Sequence, residues 1–454
     1  MPPHGSSTSV VSPARRVAAA VLRRVEQGGA YADRALAAEA TRAGLDARER
    51  AFATQLAYGV VQRRRTLDHV IAACAGRPVE RLDPPVRDAL RLGVLQLLLL
   101  DGVAPHAAVD QSVELAKAAG GPGFKLVNAV LRRAGREGPA LLAALDDATP
   151  HTAALKHSVP DWIAELWWDA LGAEQARALL AVVNAPAESA LRVNALVAEP
   201  QAVRAELAER GVATRAATDP LVPVPAGADG AAPPSIPEGL VLDTPFDPST
   251  DPLWEAGALV AQSRAAMSAA RLLDPAPGMR VLDLCTAPGG KATHLAALVG
   301  MGGEVVAVER NAGRADALRQ TVTRLRAEAI VRVETADATE LRADGPFDAV
   351  LVDPPCSGLG TLQGRPDLRW RVRPEAIEQL ADLQLRVLEA GAHALAPGGA
   401  LVYSTCTISP RENEQVLERF LARAPQFALE RAHQTLPHRD ATDGFFYARL
   451  RRTV

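Results

Sequence analysis

The chain has 454 residues, more than one ordinary hydrophobic core takes, so two or three domains are expected. Apolar residues make up 48%, the longest apolar run (Leu92–Leu100) is too short to cross a bilayer, and only four cysteines occur, which argues against a helical membrane protein and a disulfide scaffold. The net charge of −3 is unevenly spread: residues 1–140 hold 20 Lys+Arg against 13 Asp+Glu, a surplus of +7, while the remainder holds 30 against 40. A basic front on an acidic body points to an anionic partner for the front, with nucleic acid first in line. No CxxC or His/Cys ligand spacing occurs, so no metal site is expected, and a reducing cytoplasm suits the free thiols.

The first ten residues have no basic segment followed by an apolar one, so no signal peptide is read and residues 1–11 are taken as a disordered tail. From Pro13 to Gly138 the pattern is helical. Val17, Val21, Leu22 and Val25 recur at helix spacing. Asp46 with Glu49 reads as an N-cap and its partner, opening a helix expected to end at Arg63-Arg64-Arg65. Pro84 and Pro85 start an almost wholly apolar helix to Leu100, and further helices are expected over 107–118 and 124–136. Residues 12–140 thus form an all-α bundle. In the Arg48–Arg50 stretch with Phe52, the segment 59–68, the Leu90–Leu100 helix and the segment 124–133, the bundle resembles the NusB-type antitermination domain. That resemblance implies an RNA-binding module.

Residues 141–255 read as a small α+β subdomain and linker. His157–Trp162 leads into a helix with Trp167 and Trp168, Leu191–Asn194 reads as a strand, Ala202–Gly211 as a helix, and Pro220–Pro237 as a Pro/Ala/Gly-rich loop. From residue 256 to 454 strands and helices alternate. Strands are expected at 280–284, 304–308, 330–335, 349–352, 400–404 and 443–450, with helices near 261–273, 292–299, 312–327 and 374–395. This is a doubly wound, mainly parallel Rossmann-like sheet.

Chemistry gathers at the predicted strand ends. Ala349–Val352 is a short apolar run, and Pro354-Pro355 stops its ladder after Asp353. The result is a carboxylate, a rigid corner and the Cys356 thiol at the edge where open α/β sheets bind ligands. A second strand ends in Cys406. One buried thiol alone is commonplace core, but two on one edge beside a carboxylate are harder to dismiss. Cys285-Thr-Ala-Pro-Gly-Gly-Lys291 joins a strand to a helix through a glycine turn, where Gly289 and Gly290 admit a ligand and the helix start favours an anionic group. Neither GxGxxG nor a P-loop is present. Glu309 follows the next strand, placed for ribose hydroxyls, and Asp337 follows the third, placed for an adenine amino group. Together these residues describe a nucleoside pocket with a charged tail, the shape of S-adenosylmethionine.

These motifs, with Pro366-Asp-Leu-Arg-Trp370, Ser404–Thr407 and Glu412-Asn-Glu414, resemble the RNA 5-methylcytosine methyltransferases, and with the helical front the RsmB/Sun branch. The resemblance implies transfer of a methyl group to carbon 5 of a cytosine in 16S ribosomal RNA by a cytoplasmic monomer. It implies that Cys285, Thr286, Ala287, Pro288, Gly289, Gly290, Lys291, Glu309, Asp337 and Asp353 line the cofactor site. It further implies that Cys406 is the nucleophile, that Cys356 serves product release, and that Asp353 contacts the base. Ser263 stands where the family usually has an acidic residue. A tRNA target, an amino-directed methyltransferase, and an RNA-binding assembly factor with an inactive body are the alternatives; the second thiol argues against the amino-directed enzyme and the intact motifs against decay.

Overall fold

The computed structural model describes residues 11–222, 234–341 and 345–453, so all of the expected tail but Val11, and much of the expected Pro220–Pro237 loop, lie outside them. The chain forms two compact units: residues 1–185 with 362–371, and residues 186–361 with 372–454.

The first unit is helical: α1 (Pro13–Glu26), α2 (Ala32–Arg42), α3 (Ala47–Ala75), α4 (Pro84–Leu98), α5 (Pro105–Ala118), α6 (Gly123–Ala143), α7 (Pro150–His157) and α8 (Asp161–Val182). Asp46 caps α3, its side chain accepting from Glu49 N–H at 2.8 Å. The Glu49 side chain instead accepts from Ala14 N–H at 2.8 Å, tying α3 to the start of α1. The expected end of this helix at Arg65 is wrong. The helix runs ten residues further to Ala75, because Leu67, Val70, Ile71 and Cys74 continue its buried stripe until Gly76 turns left-handed at φ 64°. Gly93 sits where α4 meets α6, and a Cβ there would lie 2.6 Å from the Leu131 methyls.

The sequence border near residue 140 does not coincide with the edge of this unit. Side-chain hooks hold α7 to α3: Thr66 Oγ1 donates to Leu155 O at 2.7 Å and Arg65 Nη1 to Val159 O at 2.9 Å. Residues 362–371 also belong here. Arg369 is fully buried and donates through Nη1 to Gln62 O (3.1 Å), Ser158 O (3.2 Å) and Asn184 Oδ1 (2.7 Å), and through Nη2 to Val183 O (3.3 Å) and Leu362 O (3.1 Å). Burial pulls its pKa down to about 9. Trp370 Nε1 donates to Val61 O at 2.8 Å, and the Arg64 guanidinium lies 4.0 Å from its ring centroid.

The second unit holds two sheets. A small antiparallel sheet, in order β2-β3-β1-β4, comprises β1 (Ala190–Val193), β2 (Thr214–Thr218), β3 (Ser235–Leu242) and β4 (Leu259–Ala261), with α9 (Pro200–Glu209) between β1 and β2 and the one-turn α10 (Pro252–Glu255) before β4. The large sheet follows α11 (Arg264–Leu273). Its elements are β5 (Arg280–Leu284), α12 (Gly290–Val299), β6 (Glu304–Val308), α13 (Ala312–Arg324), β7 (Val331–Glu334) and β8 (Phe347–Val352). After the one-turn α14 (Leu368–Arg371), which belongs to the first unit, come α15 (Pro374–Ala394), β9 (Leu395–Thr405), α16 (Glu414–Arg423), β10 (Phe427–Gln434), the short α17 (Pro437–Asp440) and β11 (Phe446–Arg452). The sheet order is β10-β11-β9-β8-β5-β6-β7, parallel from β9 to β7 and closed by two antiparallel strands. Val281, Val305 and Leu351 pack on one face with α11, α12 and α13; Leu282, Val306 and Val350 pack on the other with α15 and α16. Strands buried on both faces read as unbroken apolar runs, which is why the sequence displays them clearly.

Candidate active site

The five parallel strands all point their carboxyl ends to one edge, and the candidate residues gather there. Between β5 and α12 the chain turns sharply: Cys285 adopts φ 65°, Thr286 N–H donates to Val308 O at 3.1 Å, and Thr286 Oγ1 donates to Asp283 O at 2.7 Å. Ala287 and Pro288 complete the bend, Ala287 O accepting from Arg314 Nη2 at 2.8 Å. Gly289 has φ 104°, and a Cβ there would come within 2.5 Å of Leu318. Gly290 begins α12, whose N-cap carries no side-chain cap, so its first N–H groups can receive a carboxylate. Burial pushes the Cys285 thiol up to about 12, so it is a neutral lining group.

Glu309 directly follows β6 and is buried; its Oε1 accepts from Asn311 N–H at 2.9 Å and its Oε2 lies 3.4 Å from Arg314. Asp337 follows β7 and accepts from Thr339 N–H at 2.9 Å and Thr339 Oγ1 at 2.7 Å, bonds that hold its carboxyl below its ordinary range. Both carboxylates are therefore fixed by their own loops at successive strand ends. Ser263, the departure from the family pattern, caps α11 by accepting from Ala266 N–H at 3.3 Å.

The thiols converge. Cys356 follows β8 by four residues, Cys406 directly follows β9, and their Sγ atoms are 3.2 Å apart. The hydrogen bond with Cys406, then burial, holds the Cys356 pKa well above the usual thiol range, so Cys356 stays a neutral thiol. Asp353 Oδ2 accepts from Lys291 Nζ at 2.7 Å and Asp353 Oδ1 from Ser404 Oγ at 3.0 Å. Burial alone would lower the Lys291 pKa, but Asp353 offsets it, and the ammonium is held above its ordinary value. Lys291 thus links the glycine turn to the carboxylate beside the thiols. The fully buried Asp283 behind them is pushed well up by burial and then by Asp353, so it is a neutral acid.

The sequence reading names Glu412 and Asn413 as motif residues without a role and omits Gln384. Gln384, Glu412 and Asn413 are all buried and bond to the loops carrying both cysteines. A signal for Gln384 was available: it is a polar residue on the apolar stripe of α15.

Comparison with known proteins decides the family. The 16S rRNA methyltransferase RsmB/F profile matches residues 270–451, the NusB family profile residues 12–136, and the RsmF/B-like ferredoxin-like domain profile residues 159–222. The probable ribosomal RNA small subunit methyltransferase B of Synechocystis is 35% identical, covering 97% of this chain and 99% of its own. The chain belongs to the ribosomal RNA small subunit methyltransferase B family. The family member from Thermus thermophilus is 38% identical over 96% of this chain and 97% of its own. Among solved structures, that of PH0851 has a TM-score of 0.79 at 27% identity, covering 97% of this chain and 99% of that one. A methyltransferase homologue from Pyrococcus horikoshii has a TM-score of 0.57 at 26% identity, covering 67% of this chain and 99% of that one. Membership makes the chain an S-adenosylmethionine-dependent ribosomal RNA methyltransferase, as expected from the sequence, and the NusB-like bundle and Rossmann-like sheet are present as expected. Among the described residues no helix is long and apolar enough to cross a membrane.

The residues present fit the cofactor. The open helix start at Gly290 suits its carboxylate, buried Glu309 suits a diol, and Gly289 carries no side chain into the turn.

Proposed function

We propose that this chain methylates carbon 5 of a cytosine in small-subunit ribosomal RNA through a covalent adduct at carbon 6. The 3.2 Å approach of two thiols at neighbouring strand ends carries the reading. Methylation at an amino group needs no thiol, whereas carbon 5 of cytosine is a poor nucleophile and needs activation. The Cys406 thiolate adds to carbon 6 and the electron pair of the 5,6 double bond moves to carbon 5, which is then nucleophilic. Bound S-adenosylmethionine supplies an electrophilic methyl group to that carbon. A base then takes the carbon-5 proton, the double bond re-forms, and Cys406 leaves as thiolate.

The cofactor residues are assigned as follows. Cys285, Thr286, Ala287, Pro288, Gly289, Gly290 and Lys291 form the cradle, Glu309 takes the ribose hydroxyls, Asp337 the adenine, and Asp353 faces both cofactor and base. Asp353, held by Lys291 and Ser404, is assigned the base edge, where it accepts from N3 once that nitrogen carries a proton in the adduct. At 3.2 Å one thiol of the pair can donate its S–H toward the other sulfur, and the assignment of the attack to Cys406 rests on the family resemblance. The target base must leave its stack to reach this edge. The basic helical unit, NusB-like in its profile match, is assigned the RNA backbone.

The deciding experiment is bisulfite mapping of ribosomal and transfer RNA from cells with and without the protein. A 5-methylcytosine lost from 16S rRNA alone is the expected result. Loss from a tRNA would move the substrate, and methylation restricted to exocyclic amines would overturn the mechanism.

A further inference from the structure

Each cysteine of the pair has two chain neighbours, and three buried side chains hold all four of them. On the Cys356 loop, Pro355 O accepts from Gln384 Nε2 at 2.9 Å, while Ser357 donates to Glu412 twice, from N–H to Oε1 at 2.8 Å and from Oγ to Oε2 at 2.6 Å. On the Cys406 loop, Thr405 Oγ1 donates to Asn413 Oδ1 at 2.6 Å, and Asn413 Nδ2 donates to Thr407 O at 3.1 Å. A cross-link joins the two loops: Ser357 Oγ lies 2.6 Å from Thr407 Oγ1, and Thr407 Oγ1 lies 3.4 Å from Glu412 Oε2. Gln384 Nε2 also reaches Glu412 Oε1 at 3.1 Å, and Tyr403 Oη donates to Glu412 O at 2.6 Å. Every one of these groups but the exposed Pro355 is buried.

We infer that Glu412 and Asn413, braced by Gln384, are positioning residues that fix the separation of the Cys356 and Cys406 sulfurs. Such a frame is costly unless complete. A buried carboxyl requires several donors, and Glu412 has Ser357 N–H, Ser357 Oγ and Gln384 Nε2, while the single Thr407 hydroxyl hydrogen serves Ser357 Oγ at 2.6 Å. Neither Glu412 nor Asn413 bonds a sulfur directly, so both act through the backbone and hydroxyls beside the thiols. The two loops leave different strands, and the ladder between β8 and β9 has already ended at Val352 with Tyr403. Beyond that point β9 stays paired with β11 as far as Thr405 and Gly360 N–H donates to Cys406 O at 3.1 Å, while the side-chain frame adds the ties to the residues on either side of both sulfurs. Reactions between fixed groups lose about a hundredfold for a misplacement near 1 Å.

This inference rests on the proposed thiol chemistry, so its test includes a readout that needs no RNA. Dibromobimane alkylates two thiols in turn, each displacing a bromide, and bridges only neighbouring sulfurs. In the full-length protein, with the bridged peptide identified by mass, Glu412→Gln is expected to slow the Cys356–Cys406 bridge at least about tenfold. The same variant should lower kcat for methylation by about ten- to a hundredfold, with S-adenosylmethionine affinity within twofold of wild type. Asn413→Asp, which keeps the acceptor for Thr405 and loses the donor to Thr407, tests the same frame should Glu412→Gln fold poorly. If a folded variant bridges its thiols and methylates at the wild-type rate, the positioning role is wrong. If bridging slows while wild-type RNA carries no 5-methylcytosine, the frame stands and the proposed reaction fails instead.

Discussion

Both units build with buried arginine, Arg91 in one and Arg192 and Arg264 in the other, but they place their acids differently. In the helical unit the charged side chains serve its own construction: Arg91 is clasped by Glu26 and Asp68, Arg24 and Arg42 share Glu39, Arg65 pairs with Asp161, and Arg15 donates to Gln96. A cavity of about 500 Å³ there is lined by Glu26, Arg64, Asp68, Arg87, Arg91 and Trp370, and its acids largely offset its arginines. In the methyltransferase unit the strand-end acids gather at one edge, Glu309 and Asp337 held by their own loops and Asp353 by Lys291 and Ser404. Pairing removes one charge of each sign and leaves the +7 surplus of the front unchanged, but the buried Arg15 and Arg91 are not available at the surface. A charge count overstates a nucleic-acid surface wherever arginine is a structural donor.

The sharpest break in the comparison comes from the thiols, which should fail in different ways. Cys406→Ala is expected to lose methylation by about 10⁴-fold or more and to form no adduct. Cys356→Ala should transfer the methyl yet release it poorly, accumulating an RNA-linked species seen on a denaturing gel. Equal loss of folding in both variants would make the thiols structural, and the reverse pattern would exchange their roles.

Next in size is Arg369→Ala. Removing a buried cation that satisfies carbonyls from several segments should destabilise the helical unit by about 3 kcal/mol or more. Calorimetric unfolding reads the loss; cofactor affinity, a property of the other unit, should not change. Glu309→Ala is the converse. It should weaken S-adenosylmethionine binding by about 1–3 kcal/mol in titration calorimetry and leave the melting of the helical unit unchanged.

Asp88 gives a smaller, pH-dependent effect. Burial and then Glu26 push its carboxyl up to about 6, and its Oδ1 has no hydrogen-bond partner among the described residues. The folded pKa lies above the unfolded one. The folded chain therefore holds the proton more tightly, and stability falls as pH rises from about 4 to about 6. Asp88→Asn should stabilise the unit by about 1–2 kcal/mol at pH 7.5, with a smaller gain at pH 5, measured by urea unfolding. Smallest is Arg132→Gln with Arg136→Gln on the exposed face of α6. RNA affinity should fall a few-fold at physiological salt, with the slope of log K against log salt shallower by about 1–2. An unchanged slope would remove α6 from the RNA surface.

Legibility in the sequence followed burial. The parallel strands other than β7 are mostly buried on both faces, and the positions of all five were readable within a few residues. Strands β2, β3, β4 and β10 were missed; β10 shows mainly exposed residues after Phe427 and leaves no period-two stripe. The end of α3 was misplaced because three consecutive arginines resemble a helix terminus, whereas Arg64 lies over Trp370, some 300 positions away, and the helix continues. The motif residues were placed together on one edge, but their mutual support was not readable. Glu412 and Asn413 looked like part of a motif, and only the bonds to both cysteine loops give them work. The split of the chain into units escaped the sequence because Arg369 makes contacts of long separation and no periodic signal.

The passage of residues 362–371 into the helical unit also sets an order of assembly. A ribosome makes the bundle's first 185 residues early, but the Arg369–Trp370 segment emerges only after most of the parallel strands, up to β8. Until then Gln62, Ser158 and Val183 offer carbonyls to a guanidinium that does not yet exist. The nascent bundle therefore lacks these hydrogen bonds through some 180 further residues. A truncated gene product ending before Leu362 would carry a helical unit without the Arg369 and Trp370 hydrogen bonds, and residues 362–371 supplied as a separate peptide would restore them.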